Sequence, residues 1–247
     1  MKQMKARAII LIFAGFFISC KSPVIEEESL PEKCPDYVYS VPFNNNIQSV
    51  EIEDANFEKY LIQKNYDTDK TVNGRISLTD ALKIEEIYIA SASIYTPSND
   101  IIRSVKGIEY FKNLKSFISI SELIEAVDFS HNENLEEIRI KDDSAYGSGE
   151  TDKYKALKRI NLGVNYKLKY LVLSNILVKE VDISKTPNIG KLLIWSNYLE
   201  NVYVESEKQI NPTALKIYKS KGELKIITPD DWFVTNHKGS FEYKICK

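Results

Sequence analysis

The sequence contains very little of what enzymes need for acid–base or nucleophilic chemistry. Its 247 residues include only two histidines, His131 and His237, and three cysteines. It has no G-x-S-x-G, no H-E-x-x-H and no glycine-rich phosphate-binding motif. The adjacent acids Asp230 and Asp231 follow a proline, which is more typical of a helix cap than of a hydrolase. We therefore expect that the protein is not an enzyme and that both histidines are solvated or packed.

An excess of positive charge is missing as well. The 33 basic and 35 acidic residues are interspersed and give a formal net charge of -2. A surface that binds nucleic acid needs a concentrated positive field. The composition therefore excludes nucleic acid from the expected partners.

Long hydrophobic runs are missing except at the amino terminus. Basic residues precede an apolar stretch at positions 8–18, which is short for a spanning helix and is typical of an export signal over residues 1–19. The ending Ser19-Cys20 resembles the lipidation box of bacterial lipoproteins, which implies that Cys20 carries lipid and anchors the mature chain. An ordinary secretory signal is the alternative. No later stretch is apolar for about 18 residues, so we expect this anchor to be the only membrane element.

The residues after Cys20 predict a flexible tether over positions 20–48. Glutamates and prolines dominate the start of this segment, which has few large apolar groups to offset the entropy of ordering. The cluster Glu26-Glu27-Glu28 resembles the export signal of surface lipoproteins of the Bacteroidota, which implies display on the outside of the outer membrane. An exported compartment would permit a disulfide between the remaining cysteines, Cys34 and Cys246. The sequence favours unpaired thiols over this alternative, because an elongated fold would hold their alpha carbons more than about 7 Å apart.

What the sequence does contain is a repeat of 21 residues. From Leu114 onward, apolar residues recur at the first, fourth and sixth positions of a unit. The units form two interleaved series, which start at Leu114, Leu135, Leu168 and Ile189, and at Ile124, Leu157, Val178 and Leu199. Steps within a series are 21 or 33 residues, and 33 is one period plus 12. One 12-residue insertion at 142–153 therefore explains both longer steps.

A period of about 20 to 29 residues with this apolar pattern is typical of leucine-rich repeats, in which stacked coils bury one another's apolar edges. The segment resembles the internalin-like repeats of Bacteroidota surface proteins, whose VDIS-type half is matched at 127–130 and 181–184. The asparagine that caps the turn in that family is present only at Asn197. The resemblance implies a mixed, mainly β fold, a leucine-rich-repeat solenoid over residues 105–205.

The repeat also predicts a contact surface. Residues at the third and fifth positions of a unit point outward when the fourth and sixth point into the core. In the series that starts at Leu114, this rule places an apolar patch with flanking cations on the concave sheet, formed by Tyr170, Val172, Leu193, Trp195, Arg139 and Lys191. Exposed apolar patches of this kind often bind a partner. The alternative is that Trp195 packs against the terminal cap.

Upstream of the repeats, residues 66–81 (YDTDKTVNGRISLTDA) resemble an EF-hand loop. Asp54 and Ser77 are predicted helix caps on either side. If Thr71 and Val72 are set aside as an insertion, oxygen donors fall at the calcium-ligating positions, namely Asp67, Asp69, Asn73, the backbone oxygen of Arg75, Ser77 and Asp80. In Bacteroidota proteins a similar segment precedes these repeats. The sequence leaves open a weak calcium site or a metal-free cap of the solenoid.

These observations divide the chain into five expected parts: a signal peptide at 1–19, a tether at 20–48, an EF-hand-like cap at 49–104, repeats at 105–205 and a carboxy-terminal cap at 206–247. The expected function is a surface-anchored recognition module that binds a protein or glycan through the concave face. The alternative is an accessory envelope lipoprotein in which the repeats are only a rigid spacer.

Overall fold

The computed structural model describes residues 40–90, 100–141, 156–196 and 198–205, together with two strands at 215–218 and 242–245. Several predicted features lie outside the described residues: the signal peptide, Cys20 and the tether up to residue 39, Cys34, the insertion 142–153, Asn197, Asp230, Asp231, His237 and Cys246.

A helix–loop–helix unit precedes the repeats. The Asp54 carboxylate accepts hydrogen bonds from the backbone N–H groups of Asn56 and Phe57, at 2.8 and 3.3 Å, where helix α1 (Ala55–Gln63) begins. The Ser77 hydroxyl accepts from the N–H of Asp80 at 3.0 Å and caps helix α2 (Leu78–Ala81). Both predicted caps are confirmed. Strands β1 (Ser49–Glu51) and β2 (Arg75–Ser77), which the sequence did not predict, pair in antiparallel register beside the loop.

In the rest of the described chain the regular elements are strands, apart from one 3-10 helix at Ile108–Tyr110. These strands are β3 (Glu86–Ala90), β4 (Ser116–Ile120), β5 (Ala126–Asp128), β6 (Glu137–Lys141), β7 (Arg159–Asn161), β8 (Tyr170–Ile176), β9 (Glu180–Asp182), β10 (Lys191–Ser196), β11 (Asn201–Val204), β12 (Leu215–Tyr218) and β13 (Glu242–Ile245). All pairings among them are parallel. Strands of the first series form one six-stranded sheet in the order β12-β10-β8-β6-β4-β3, which we call the main sheet. Strands of the second series form two smaller sheets, β5-β7 and β13-β11-β9.

The core lies between the strands of the two series. Register in the main sheet places Phe117, Ile138 and Leu171 side by side, and all three are fully buried. The Phe117 ring meets the Phe129 ring edge to face, with 5.1 Å between centroids, so aromatic packing links β4 to the chain that follows β5. The predicted inward positions are therefore confirmed. Ser119, a polar residue at the sixth position of the unit that starts at Leu114, is buried as well.

The repeats extend further in both directions than the sequence predicted. Strand β3 pairs with β4, although residues 49–104 were assigned to the amino-terminal cap. Ile84, Ile87 and Ile89 occupy the first, fourth and sixth positions of a unit, and all are buried. This unit was missed because it starts 30 residues before Leu114, which is one period plus nine.

The segment 206–247, predicted as an irregular cap that breaks the repeat, contributes one strand to each series. Strand β12 pairs with β10, and β13 pairs with β11. Their register places Pro212 and Ser240 at the first position of the two units, where every other unit has Leu, Ile or Val. Because neither residue is aliphatic, the repeat pattern did not reveal these two units.

Asparagines in the turns join neighbouring units. The Asn132 side chain is completely buried and donates to the carbonyl oxygens of Ile108 and Phe111, both at 2.9 Å. One unit later, the Asn165 side chain donates to the Asn132 carbonyl at 3.0 Å. These bonds run along the stacking direction and supplement the backbone ladders of the sheets.

The helix–loop–helix unit packs along the outer edge of β3. The Tyr60 hydroxyl accepts from the N–H of Tyr88 at 2.8 Å, and the Tyr66 hydroxyl donates to the carbonyl of Glu86 at 2.9 Å. Burial raises the pKa of Tyr60 to about 12, so its phenol stays protonated.

None of the helices in the described ranges has the length and apolar content needed to cross a bilayer.

Candidate functional site

The side of the main sheet that faces away from the core, which we call the outer face, carries side chains in three rows. Parallel register aligns them across the strands. The rows are Glu86, Ser116, Glu137, Tyr170 and Lys191; Tyr88, Ile118, Arg139, Val172 and Leu193; and Ala90, Ile120, Lys141, Ser174 and Trp195. All six predicted contact residues therefore lie on one face of adjacent strands.

Exposure differs among these predicted residues. Tyr170 and Trp195 expose 44 and 42% of their surface, and Arg139 and Lys191 are also exposed. Leu193 is partly buried. Val172 requires a correction, because it is only 9% exposed. Its cross-strand neighbours Arg139 and Leu193 stand about 4.8 Å away on either side and cover it.

The far end of this surface is not among the contact residues predicted from the sequence. Tyr88 on β3 is 53% exposed and lies in register with Ile118 on β4. Ile118 and Ile120 are partly exposed. Tyr88 was overlooked because β3 was assigned to the cap, although the motif IEEIYI places it at an outward position of a unit. The outer face therefore has large aromatic side chains toward both ends and aliphatic ones between them.

Charge on the outer face is partly neutralised within the face. The Arg139 guanidinium forms an ion pair with the Glu137 carboxylate, two residues earlier on the same strand. The Ser116 hydroxyl donates to the other oxygen of Glu137 at 3.3 Å. The apolar residues are therefore flanked by a fixed, hydrogen-bonded ion pair rather than by a field of one sign.

The acidic loop forms a second candidate site. Asp67 is 1% exposed, and its Oδ1 accepts from the N–H of Asp69 at 3.3 Å. Its Oδ2 is buried without a hydrogen-bond partner. Burial raises the pKa of the Asp67 carboxyl, and the nearby charges of Asp69, Glu58 and Asp80 add to this effect. A buried carboxylate oxygen without a donor is costly, so the loop contains a position that favours a cation.

The other predicted ligands are held by local bonds. Asp69 accepts from the N–H of Thr71 at 2.7 Å and from the Asn73 side chain at 2.8 Å. The Asn73 side-chain oxygen accepts from the N–H of Arg75 at 3.1 Å. Hydrogen bonds within the loop therefore fix the positions of both the Asp69 and the Asn73 side chains.

Asp80 is oriented differently from the others. Its Oδ2 accepts from the Thr68 hydroxyl at 2.6 Å, and its Oδ1 forms an ion pair with Lys83 at 2.9 Å. Burial alone would raise the pKa of Asp80, but hydrogen bonds from Thr68, Lys83 and Ser77 lower it to about 2. A cation would have to compete with these donors for the carboxylate.

Glu58 on α1 organises the loop and was not predicted. Its carboxylate is completely buried and accepts from the N–H groups of Asn73, Gly74 and Arg75, at 2.8 to 3.1 Å. It therefore supplies a negative charge to the turn that EF-hand loops form at their central glycine. The sequence held no signal for this role beyond an acid next to the apolar residues of the helix.

The predicted oxygen ligands of the loop fit calcium in part. Their oxygen chemistry suits a hard cation, and the unpartnered Asp67 Oδ2 is consistent with one. Among the residues that the structure describes, however, no group of three or more His, Cys, Asp or Glu side chains is placed to hold a metal ion. The predicted ligands are thus gathered in one loop without forming a complete cage.

The described chain is mainly β, with parallel strands that recur in a leucine-rich-repeat-like pattern. No protein-family model matches it, and no curated protein matches it. Among solved structures, it is similar to the functional domain of InlJ from Listeria monocytogenes, which includes a cysteine ladder, at 17% sequence identity and a TM-score of 0.37. The match covers 72% of this chain and 45% of that one, so the chain spans less than half of that neighbour's length.

Proposed function

We propose that the protein is a recognition module, without enzymatic activity, that binds a protein or glycan through the outer face of the main sheet. The repeats would stack as a leucine-rich-repeat solenoid whose role is to hold this face rigid. The observation that supports the proposal most strongly is the exposure of Tyr88, Tyr170 and Trp195 on one sheet. Large aromatics bind partners well because they bury much surface at a small cost in side-chain entropy.

The location of the module belongs to the same proposal. The basic and apolar residues at 1–19, the Ser19-Cys20 ending and the acidic cluster after it support a lipid anchor at Cys20 and display outside the outer membrane. Mass spectrometry of the mature amino terminus tests the anchor. An unmodified terminus beyond Cys20 would rule it out.

Binding assays with face variants test the function. The mature chain is screened against arrays of extracellular proteins and of glycans, and each ligand found is then titrated. For Tyr170→Ala/Trp195→Ala we expect a loss of affinity of roughly 10- to 100-fold, since both substitutions remove exposed aromatic contacts. Val164→Ala/Tyr166→Ala is the matched control, because these side chains are also exposed but lie in the turn after β7.

Two results would argue against this proposal. Equal affinities of the wild type and the face variant would exclude the outer face as the contact surface. Failure of the folded chain to bind any protein or glycan would favour the alternative, an accessory envelope lipoprotein in which the repeats act as a spacer.

We also propose that the acidic loop binds calcium weakly, because Asp67 Oδ2 is buried without a donor. Asp67, Asp69, Asn73, Ser77, Asp80 and the backbone oxygen of Arg75 would provide the ligands. Calcium would supply the charge that balances the carboxylates. The two extra residues, Thr71 and Val72, and the shorter reach of Asp compared with Glu at the last position favour an affinity in the range of about 10⁻⁴ to 10⁻³ M. A metal-free cap is the alternative.

Thermal unfolding of the wild type and Asp67→Asn tests the calcium proposal. Without calcium the variant should have the higher Tm, because a buried carboxylate with a raised pKa destabilises the folded state at neutral pH. With about 10 mM calcium the Tm of the wild type should rise and that of the variant should not. Magnesium at the same concentration is the control for ionic strength. A wild-type Tm that does not respond to calcium would exclude the site.

A further inference from the structure

A short segment at the start of the described chain, residues 41–46, is bonded to Tyr110 and to Asp128 at the end of β5, and we call it the strap. The Val41 N–H donates to Asp128 Oδ2 at 2.7 Å, and the Asn44 N–H donates to the Tyr110 hydroxyl at 3.0 Å. Tyr110 and Asp128 belong to neighbouring units. Two specific backbone bonds therefore hold a segment that the sequence assigned to a flexible tether.

Phe43 anchors the strap. Its ring stacks on the rings of Tyr110 and His131, with centroids 4.6 and 4.0 Å apart. The Lys112 ammonium lies 4.0 Å from the centre of the Phe43 ring and also donates to the His131 carbonyl at 3.2 Å. The anchor site is therefore built from two stacked aromatic rings and one cation.

His131 is the group in this site that titrates near neutral pH. Burial beneath the strap and the adjacent Lys112 charge lower the pKa of His131, while the carboxylates of Asp128 and Glu133 oppose the shift. On the other side of the site, the Phe43 ring stacks on both His131 and Tyr110.

We propose that the strap is a pH-sensitive latch, which stays docked while His131 is neutral and is released when His131 becomes protonated. In the released state the imidazole regains water, and its pKa returns toward the ordinary value of 6.5. The docked state therefore binds fewer protons than the released state. Docking is fully stabilised above about pH 6.5 and weakens as the pH falls through that value toward the lowered pKa.

Release would lengthen the chain that leads into the repeats. Six residues freed from the surface span about 20 Å when extended. Acid would thus let the main sheet move away from whatever holds residues upstream of the strap. This effect needs neither a bound ligand nor calcium.

Hydrogen exchange of the mature chain, followed by NMR, tests the latch. Protection factors of the Val41 and Asn44 amides are compared at about pH 7.5 and about pH 5.5, after correction for intrinsic exchange. We expect both protection factors to be lower at the acidic pH, because the docked state binds fewer protons than the released state. In His131→Phe, which keeps a ring under Phe43 but cannot titrate, both amides should stay protected at both values.

Phe43→Ala shows what the released state looks like, since both amides should be unprotected at either pH. Glu109 would produce the opposite trend, amide protection that rises as the pH falls. The reason is that burial raises the pKa of this carboxyl, which lies near Asp128. The His131→Phe comparison separates the two groups. Protection in the wild type that is absent at pH 7.5, or independent of pH, overturns the proposal, and so does an equal fall in His131→Phe.

Discussion

At the scale of single residues, the acidic loop shows how one buried carboxylate determines the path of a turn. Glu58 accepts three backbone N–H groups from residues 73–75, and the Arg75 N–H is shared with the Asn73 side-chain oxygen. Such charge-assisted bonds are stronger than neutral ones. The loop is therefore organised from within the protein, whether or not a cation binds to Asp67.

Substitution of Glu58 should consequently destabilise the folded state more than any change at an exposed position of the same helix. Glu58→Ala removes the charged acceptor of the Asn73 and Gly74 N–H groups and one of the two acceptors of the Arg75 N–H, and should lower the free energy of unfolding by about 1–3 kcal/mol. Glu58→Gln, which keeps one acceptor oxygen, should cost less. Lys59→Ala is the matched control, with an expected change within about 0.5 kcal/mol. Urea unfolding measures all three, and equal stabilities for Glu58→Ala and Lys59→Ala would contradict this account.

The sequence predicted the loop's six candidate ligands but neither Glu58 nor the hydrogen bonds of Asp80. The ligands follow a local spacing that can be read along the chain. Glu58 acts across 15 residues, and nothing local distinguishes it from other helical acids. Contacts of this kind arise only when the helix packs against the loop.

At the scale of elements, the turns carry a ladder of asparagines that the apolar pattern does not reveal. The fully buried Asn132 side chain donates hydrogen bonds to two carbonyl groups of the preceding unit. Asn134 makes a comparable bond to the Lys112 carbonyl, at 2.8 Å, from a partly exposed position. Asn132 makes two buried bonds to carbonyl groups and Asn134 makes one solvated bond, so substitution of each compares buried with solvated bonds of the same type.

Asn132→Ala should lower the free energy of unfolding by about 1–3 kcal/mol, because it removes two buried hydrogen bonds, although each carbonyl keeps one backbone donor, the N–H of Phe111 or of Leu114. Asn134→Ala should cost only about 0.5–1 kcal/mol, since water can replace the lost donor. Thermal unfolding compares them directly. Similar losses of stability in the two variants would show that the buried ladder contributes no more than the exposed one.

The strands themselves were largely predictable, and their misses have local causes. An aliphatic residue at the first position marks the units from Leu114 to Leu199. Nine extra residues between Ile84 and Leu114 separated β3 from this series, and Pro212 and Ser240 concealed β12 and β13. In each case the fourth and sixth positions kept the pattern, so a search weighted toward these two positions would have found the units.

At the scale of the whole molecule, the alternation of a strand predicts which side chains point outward but not how much of each is accessible. Tyr170 and Trp195 are exposed as the alternation suggests, whereas Val172, on the same outer face, is only 9% exposed between Arg139 and Leu193. The strap is a similar case, because its docking depends on Tyr110 and His131 being brought side by side by two units. Both features depend on register between strands or turns far apart in the sequence.

The hydroxyl groups of Tyr60 and Tyr66, which bond to the backbone of β3, affect how copies of this protein associate at high concentration. A parallel sheet of six strands would normally end in a row of open backbone groups that can recruit a strand from another chain. Tyr60 and Tyr66 occupy the N–H of Tyr88 and the carbonyl of Glu86, and their helix shields the same edge. Growth of the sheet into fibres is thereby blocked at this edge by side chains, while the aromatic surface beside it stays open.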